Sequence, residues 1–395
     1  MSLGIYISVP FCRTKCSYCN FASDVFSKAV FDRYVERVCT DIANAERIAT
    51  EVDGQLEREV DSIYLGGGTP TVLDPAQLER IFAAVRSQFD VLREAEVTVE
   101  CAPGTLTPAV LAGLMRCGVN RVSLGVQSFV DVEAAAVGRL HKRGTVLEDI
   151  RRLREIGIEN INVDLIAGLP HQTTKSWEFS LEEAIASKVP HLSVYMLEVD
   201  EESRLGRELL AGGTRYHAHF VPDDEAMAEF YLAACEKLEK AGVRQYEISN
   251  FARAGFESRH NLKYWTRQPY LGFGVDAHSM LLSMQTDEEA VRFSTPDVLE
   301  QYVLGPAPRR TLVSRQAALE ESFFLGLRLA RGVNLRELSA RFGEQALESS
   351  RHAIVDSVSD GLIEEDGDYV RLTARGRLLS NEVFQRFLLT GDIRH

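Results

Sequence analysis

The stretch IYISVPFCRTKCSYCNF, residues 5–21, opens with five residues of strand character, breaks at Pro10, and sets Cys12, Cys16 and Cys19 on one short loop before Phe21. β-Branched and aromatic residues suit a pleated strand, and proline cannot continue one in a sheet interior. Three thiols at C-x3-C-x2-C spacing need a chemical reason. A structural zinc site wants four ligands, and no second Cys/His knuckle is apparent. A disulfide framework is disfavoured by the odd total of seven cysteines and by residues 1–11, which lack the basic and apolar regions of a secretion signal. A dithiol redox site would use Cys16 and Cys19 and leave Cys12 idle. Three thiolates on one loop can instead hold three irons of a [4Fe–4S] cluster, with the fourth iron open to another ligand.

The same strand–turn–helix theme recurs along the first two-thirds of the 395 residues. Short apolar runs at 5–9, 62–66, 96–100, 121–126, 160–166, 192–197 and 244–248 alternate with amphipathic stretches such as 31–48 and 75–89. Each repeat takes roughly 30–35 residues, the size of a βα unit, which predicts a parallel sheet curled into a full or partial barrel. GGGTPT (66–71), Glu100 and Gln127 fall at or just after strand ends, and Asp164 lies within the fifth run. In such a barrel those ends converge on one face. The rhythm breaks near residue 200. A helix at 224–242, an irregular aromatic-rich segment from Tyr246 to about Met280, and a linker at PAPRR (306–310) precede a helical tail ending in a hairpin that turns at Asp366-Gly367.

The net charge of -14 gives no global attraction for polyphosphate or anionic lipid. From Arg309 onward thirteen arginines balance thirteen carboxylates, so DNA binding by the tail has no support and a packing or lid role is expected. No run is long enough to span a bilayer. Cys39, Cys101, Cys117 and Cys235 read as small buried hydrophobes in a cytoplasmic protein.

YISVPFCRTKCSYC, LGGGTPT, GVQSF, GRLH and DLIAGLP together resemble the radical S-adenosylmethionine (SAM) superfamily, over almost the whole chain. Within it they are similar to the branch that holds oxygen-independent coproporphyrinogen III oxidase and the HemW-type haem chaperones. The resemblance implies an α/β fold, a partial (β/α) barrel over 1–240, an aromatic-rich extension and linker over 241–308, and a winged-helix-like α+β domain over 309–395. It implies a [4Fe–4S] cluster on Cys12, Cys16 and Cys19. It also implies SAM bound near Tyr6, Gly67, Gly68, Thr69, Glu100, Gln127, Arg139 and Asp164. Glycines would let the backbone approach the methionine moiety, and Arg139 would suit a carboxylate.

Two features divide the branch. The oxidase pattern carries a further cysteine two residues after the third, where this chain has Phe21. HNLKYW (260–265) resembles the chaperone subgroup and implies His260 as haem ligand, with Tyr264 and Trp265 as flat apolar walls. His278 is the second ligand candidate; His217 and His219 rank lower. Phe21 also reads simply as a core residue. The expectation is a haem chaperone delivering haem to apo-haemoproteins, some of them membrane-bound and met transiently. Its rival is the porphyrinogen oxidase, which would share the cluster and SAM residues.

Overall fold

In the computed structural model every residue is described except 199, 306 and 389–395. The first position of the expected linker and the end of the expected C-terminal domain therefore lie outside the described residues. Six strands follow one another in chain order: β1 (Leu3–Val9), β2 (Glu59–Gly67), β3 (Asp90–Cys101), β4 (Arg121–Gln127), β5 (Asn160–Ala167) and β6 (His191–Met196). Each pairs in parallel with the next. Leu3, Ile5, Ile7 and Val9 of β1 are fully buried, as strands of a covered parallel sheet are. The helices that cover the sheet are legible in their periodicity. Helix Phe31–Ala43 buries Phe31, Tyr34, Val35, Val38 and Ile42, one stripe at three- and four-residue spacing. Helix Pro75–Gln88 starts on a capping box between Asp74 and Gln77 with proline at its first position.

Register decides what meets in the lumen. Tyr6 lies opposite Tyr64, and Val9 opposite Gly67. Glu100 lies opposite Ser123, and Gly125 opposite Asp164. Residues far apart in sequence thus share the upper layer of the barrel.

The seventh parallel strand is not the expected run at 244–248. Arg244–Gln245 is a two-residue strand antiparallel to Asn250–Ala252, which itself runs antiparallel to β6. Buried Glu247 accepts hydrogen bonds from the Ser249 amide and the Asn250 side chain, and these local bonds turn the chain back on itself. The seventh strand is β7 (Tyr270–Gly274), parallel to β1 on its free side. An antiparallel meander of β8 (His278–Ser283), β9 (Glu288–Ser294) and β10 (Arg309–Ser314) extends that edge. The sheet therefore ends in two separate edges and the barrel stays open.

Because β10 belongs to the large sheet, the C-terminal body starts at helix Arg315–Gly326. It adds helices Leu335–Phe342 and Glu344–Ser359 and a three-stranded sheet whose hairpin turns at Gly367, φ +60°. Phe323, Leu327, Ile354, Val370 and Phe387 form its core, continuous with Met280, Ala290 and Val313 of the meander. Glu321, bonded by Arg267 at 2.8 Å and Arg292 at 3.2 Å, ties it to the barrel.

Candidate functional site

The mouth of the barrel is built on the C-terminal ends of β1–β6. Past β1 the chain enters the cysteine loop. The loop base is closed by the Cys12 amide donating to the Asp24 carbonyl at 3.0 Å and the Asp24 amide donating to Pro10 at 2.9 Å. The Ser17 amide donates to the Val137 carbonyl (3.2 Å), and the Leu205 amide donates to Ser17 (2.7 Å). Contacts from the opposite wall thus stretch the loop across the mouth. Cys12, Cys16 and Cys19 are free thiols lining one cavity of about 330 Å³. Burial raises the Cys12 and Cys19 thiol pKa values, and the charge of Cys16 adds to both. A bound cationic centre reverses that cost by holding the thiolates. Among the described residues no three His, Cys, Asp or Glu side chains converge on a site for a single metal ion.

The GGGT turn is laid against the start of this loop. The Gly68 amide donates to Val9 at 2.8 Å and the Thr69 amide to Phe11 at 2.7 Å. A Cβ on Gly68 would stand 2.7 Å from the Phe11 carbonyl oxygen and 3.1 Å from the Cys12 sulfur. Only glycine allows so close an approach, and Gly67 beside it holds φ +96°.

Glu100 faces the turn. Its carboxylate accepts the Tyr64 hydroxyl at 2.8 Å and the Gly67 amide at 3.1 Å. Burial pushes its pKa up to about 7, against the pull of those two donors. Asp164 accepts the Ser123 hydroxyl at 3.0 Å and the Asn162 amide at 2.7 Å, and burial raises its pKa too. Gln127 sits at a bulge in β4 with φ +68°. Arg139 donates to the Tyr18 hydroxyl at 3.0 Å. Gln127 Oε1 and Arg139 Nε are buried without a partner. Buried polar groups are paired in the great majority of cases. Two orphans on the wall of one cavity therefore fit a polar ligand bearing both a donor and an anionic group. The thiols, the bare glycine backbone and these orphans suit a cluster with SAM beside it.

The cavity gathers Gly67, Gly68, Thr69, Glu100, Gln127, Arg139 and Asp164 with the three cysteines. It also takes in Tyr18, Ile166, Tyr195 and Met196, which the motif reading missed. Tyr18 and Ile166 were accessible to it, since both stand inside quoted motifs; Tyr195 and Met196 end β6 outside any motif. Tyr6 is not in this cavity. It lines a neighbouring one of about 240 Å³ with Phe21, Tyr264, Tyr270 and His278, sharing Gly67 and Phe21 with the first.

Residues 6–184 match the radical SAM superfamily, and 313–379 match the HemN C-terminal domain. The chain is 35% identical to Heme chaperone HemW of Bacillus subtilis over 97% of its own length and 98% of that protein's. Against Heme chaperone HemW of Escherichia coli the identity is 30%, over 98% of each chain. It belongs to the HemW family of radical SAM proteins. Coproporphyrinogen III oxidase (HemN) of Escherichia coli shares the fold, with a TM-score of 0.81 over 98% of this chain and 90% of that one at 24% identity.

Of the motif that resembles the chaperone subgroup, Tyr264 reaches the second cavity, while His260 and Lys263 lie toward the other end of the barrel. Helix Arg259–Trp265 plugs the lumen from below. Glu96 caps it, accepting the Ser258 hydroxyl and the amides of Arg259 and His260 at 3.1–3.3 Å. Lys263 is buried, its ammonium 2.8 Å from Asp61 and 2.7 Å from the Ser2 carbonyl. His260 is 1% exposed. Its Nδ1 meets the Ser62 hydroxyl at 3.0 Å, its Nε2 meets the Tyr264 hydroxyl at 2.9 Å, and the ring stacks on Tyr64. Burial lowers its pKa to about 3. Both nitrogens are engaged, so His260 offers nothing to a haem iron in this structure. Trp265 lies in neither mouth cavity and packs under Arg328, 4.3 Å from ring to guanidinium. Phe21 is not a core residue either. It is 61% exposed and stands on the ridge between the two cavities.

Proposed function

We propose that this protein is a haem chaperone of the cytoplasm, holding a [4Fe–4S] cluster on Cys12, Cys16 and Cys19 with SAM beside it, and passing haem to apo-haemoproteins. The observation that carries the reading is the full-length identity to proteins named Heme chaperone HemW, combined with a three-thiol cavity that ends at Phe21. When bound, the cluster supplies one iron open to an amino and a carboxylate donor. The protein's own part is to position. The Gly67–Gly68 backbone leaves room for the methionine portion of SAM, Glu100 and Gln127 receive its polar hydrogens, Arg139 pairs with its carboxylate, and Asp164 accepts a ribose hydroxyl. Glu100, with a pKa near neutrality, gives up a proton as it takes up a cationic partner. No helix among the described residues is long and apolar enough to cross a membrane, so membrane-bound recipients would be met by transient contact. The C-terminal body packs on the meander and is proposed as a structural cover for that side.

The test incubates anaerobically reconstituted protein with reductant, SAM and coproporphyrinogen III, and in parallel with haem. A Soret band with haem and no protoporphyrinogen IX is expected. Formation of protoporphyrinogen IX would replace the chaperone reading with the oxidase.

A further inference from the structure

Haem needs an axial ligand, and the motif that resembles the chaperone subgroup does not present one. Among the described histidines, His141 and His191 are buried and bonded like His260. His171 and His217 face each other at 3.1 Å, His219 packs against Phe220 with ring centroids 4.0 Å apart, and His352 lies on a helix of the C-terminal body. One histidine lines a mouth cavity: His278.

Its setting is built. The β7–β8 turn is pinned to β1, where a Cβ on Gly274 would run into the Ser8 carbonyl, an oxygen that also accepts the Tyr34 hydroxyl at 2.6 Å. Gly274 has φ +100° and Asp276 φ +53°, a left-handed conformation that aspartate tolerates better than most side-chain-bearing residues. This turn carries Asp276 and His278 to the rim. The His278 Nε2 lies 3.5 Å from the Asp276 carboxylate, the partner a ligating imidazole commonly has, and the ring is 70% exposed. Facing it are Tyr264 and Tyr270, edge-to-face at 4.6 Å, and the exposed Phe21 ring. The cavity of about 240 Å³ falls below the ~300–1,000 Å³ of pockets that enclose a cofactor-sized ligand. It grips an edge and leaves the rest outside, as suits cargo that must be released.

We propose that haem docks in this second cavity, with His278 as axial ligand backed by Asp276 and with Phe21 against the porphyrin edge, next to the cluster. The proposal rests on the haem-chaperone reading. Its test titrates haem into full-length, cluster-loaded protein. His278→Ala should shift the Soret band and weaken haem binding by about tenfold or more, and added imidazole should restore the band. Equal iron content in that exposed variant reports an intact fold. His260→Gln should keep the wild-type Soret position. An unchanged spectrum and affinity in His278→Ala, or loss of the band in a folded His260→Gln or His217→Ala protein alone, overturns His278. No haem binding by the wild type would instead bring down the chaperone reading itself.

Discussion

The two ends of this barrel are built from the same strands and differ in how their polar groups are paired. At the bottom, Glu96, Ser62, Lys263, Asp61 and His260 form a bonded plug around one short helix. At the mouth, Gln127 Oε1 and Arg139 Nε lack partners, three thiols face a cavity, and Glu100 is held near neutrality. Both ends contain charged and aromatic residues at motif spacing. The difference teaches that a side chain at motif spacing is available to a ligand only where its polar atoms are left unpaired and also face a cavity. In HNLKYW, His260, Tyr264 and Lys263 spend their polar atoms on the fold, while the buried Trp265 Nε1 has no partner and lies away from both cavities.

The largest expected effect breaks the mouth alone. Cys16→Ala should abolish the broad iron–sulfur absorption of reconstituted protein, and unchanged iron content would remove the cluster assignment. At the other end, Glu96→Ala leaves three donors of the plug helix without their acceptor. It should lower unfolding stability by about 1–3 kcal/mol in urea titration while the folded protein still takes up iron. Iron loss at full stability would show that the two ends are not separable. A smaller effect is expected from Gly68→Ala, whose new Cβ would press on the Phe11 and Val9 carbonyls. SAM affinity by equilibrium dialysis should fall about tenfold, or about 1.4 kcal/mol.

The smallest effects are opposite pH slopes. Glu100 has a folded pKa of about 7, above the ordinary 4.5, so its contribution is complete at low pH and is lost as pH rises between those values. In cluster-free protein Glu100→Gln should remove that loss, roughly 1 kcal/mol once water in the cavity is allowed for. His260, lowered from 6.5 to about 3, contributes above 6.5 and loses its contribution as pH falls through that window. His260→Gln should flatten the acid limb only. A single slope shared by both variants would contradict the contrast between the ends.

The alternation of apolar runs and amphipathic helices, the cysteine loop and the glycine turn were legible because each rests on local chemistry. Strand propensity, helical periodicity and a backbone that tolerates no Cβ are written within a few residues. The run at 244–248 misled because its apolar pattern is short and Glu247 and Asn250 turn it by side-chain bonds visible only once folded. YLGFG at 270–274 was overlooked since two of its five residues are glycines, which weaken any strand signal.

By itself the sequence determined the parallel α/β class, the three thiols of the mouth loop and most residues of the first cavity, since strand ends of a parallel barrel must meet. Only the tertiary structure decided which histidine faces outward, that Tyr6 belongs to the second cavity, and that Phe21 stands exposed between the two. Those outcomes depend on register, on a helix entering the lumen and on a left-handed turn pinned to β1. Each is a long-range pairing whose partners lie tens to hundreds of residues apart, and no local pattern encodes which of two histidines will be bonded on both nitrogens.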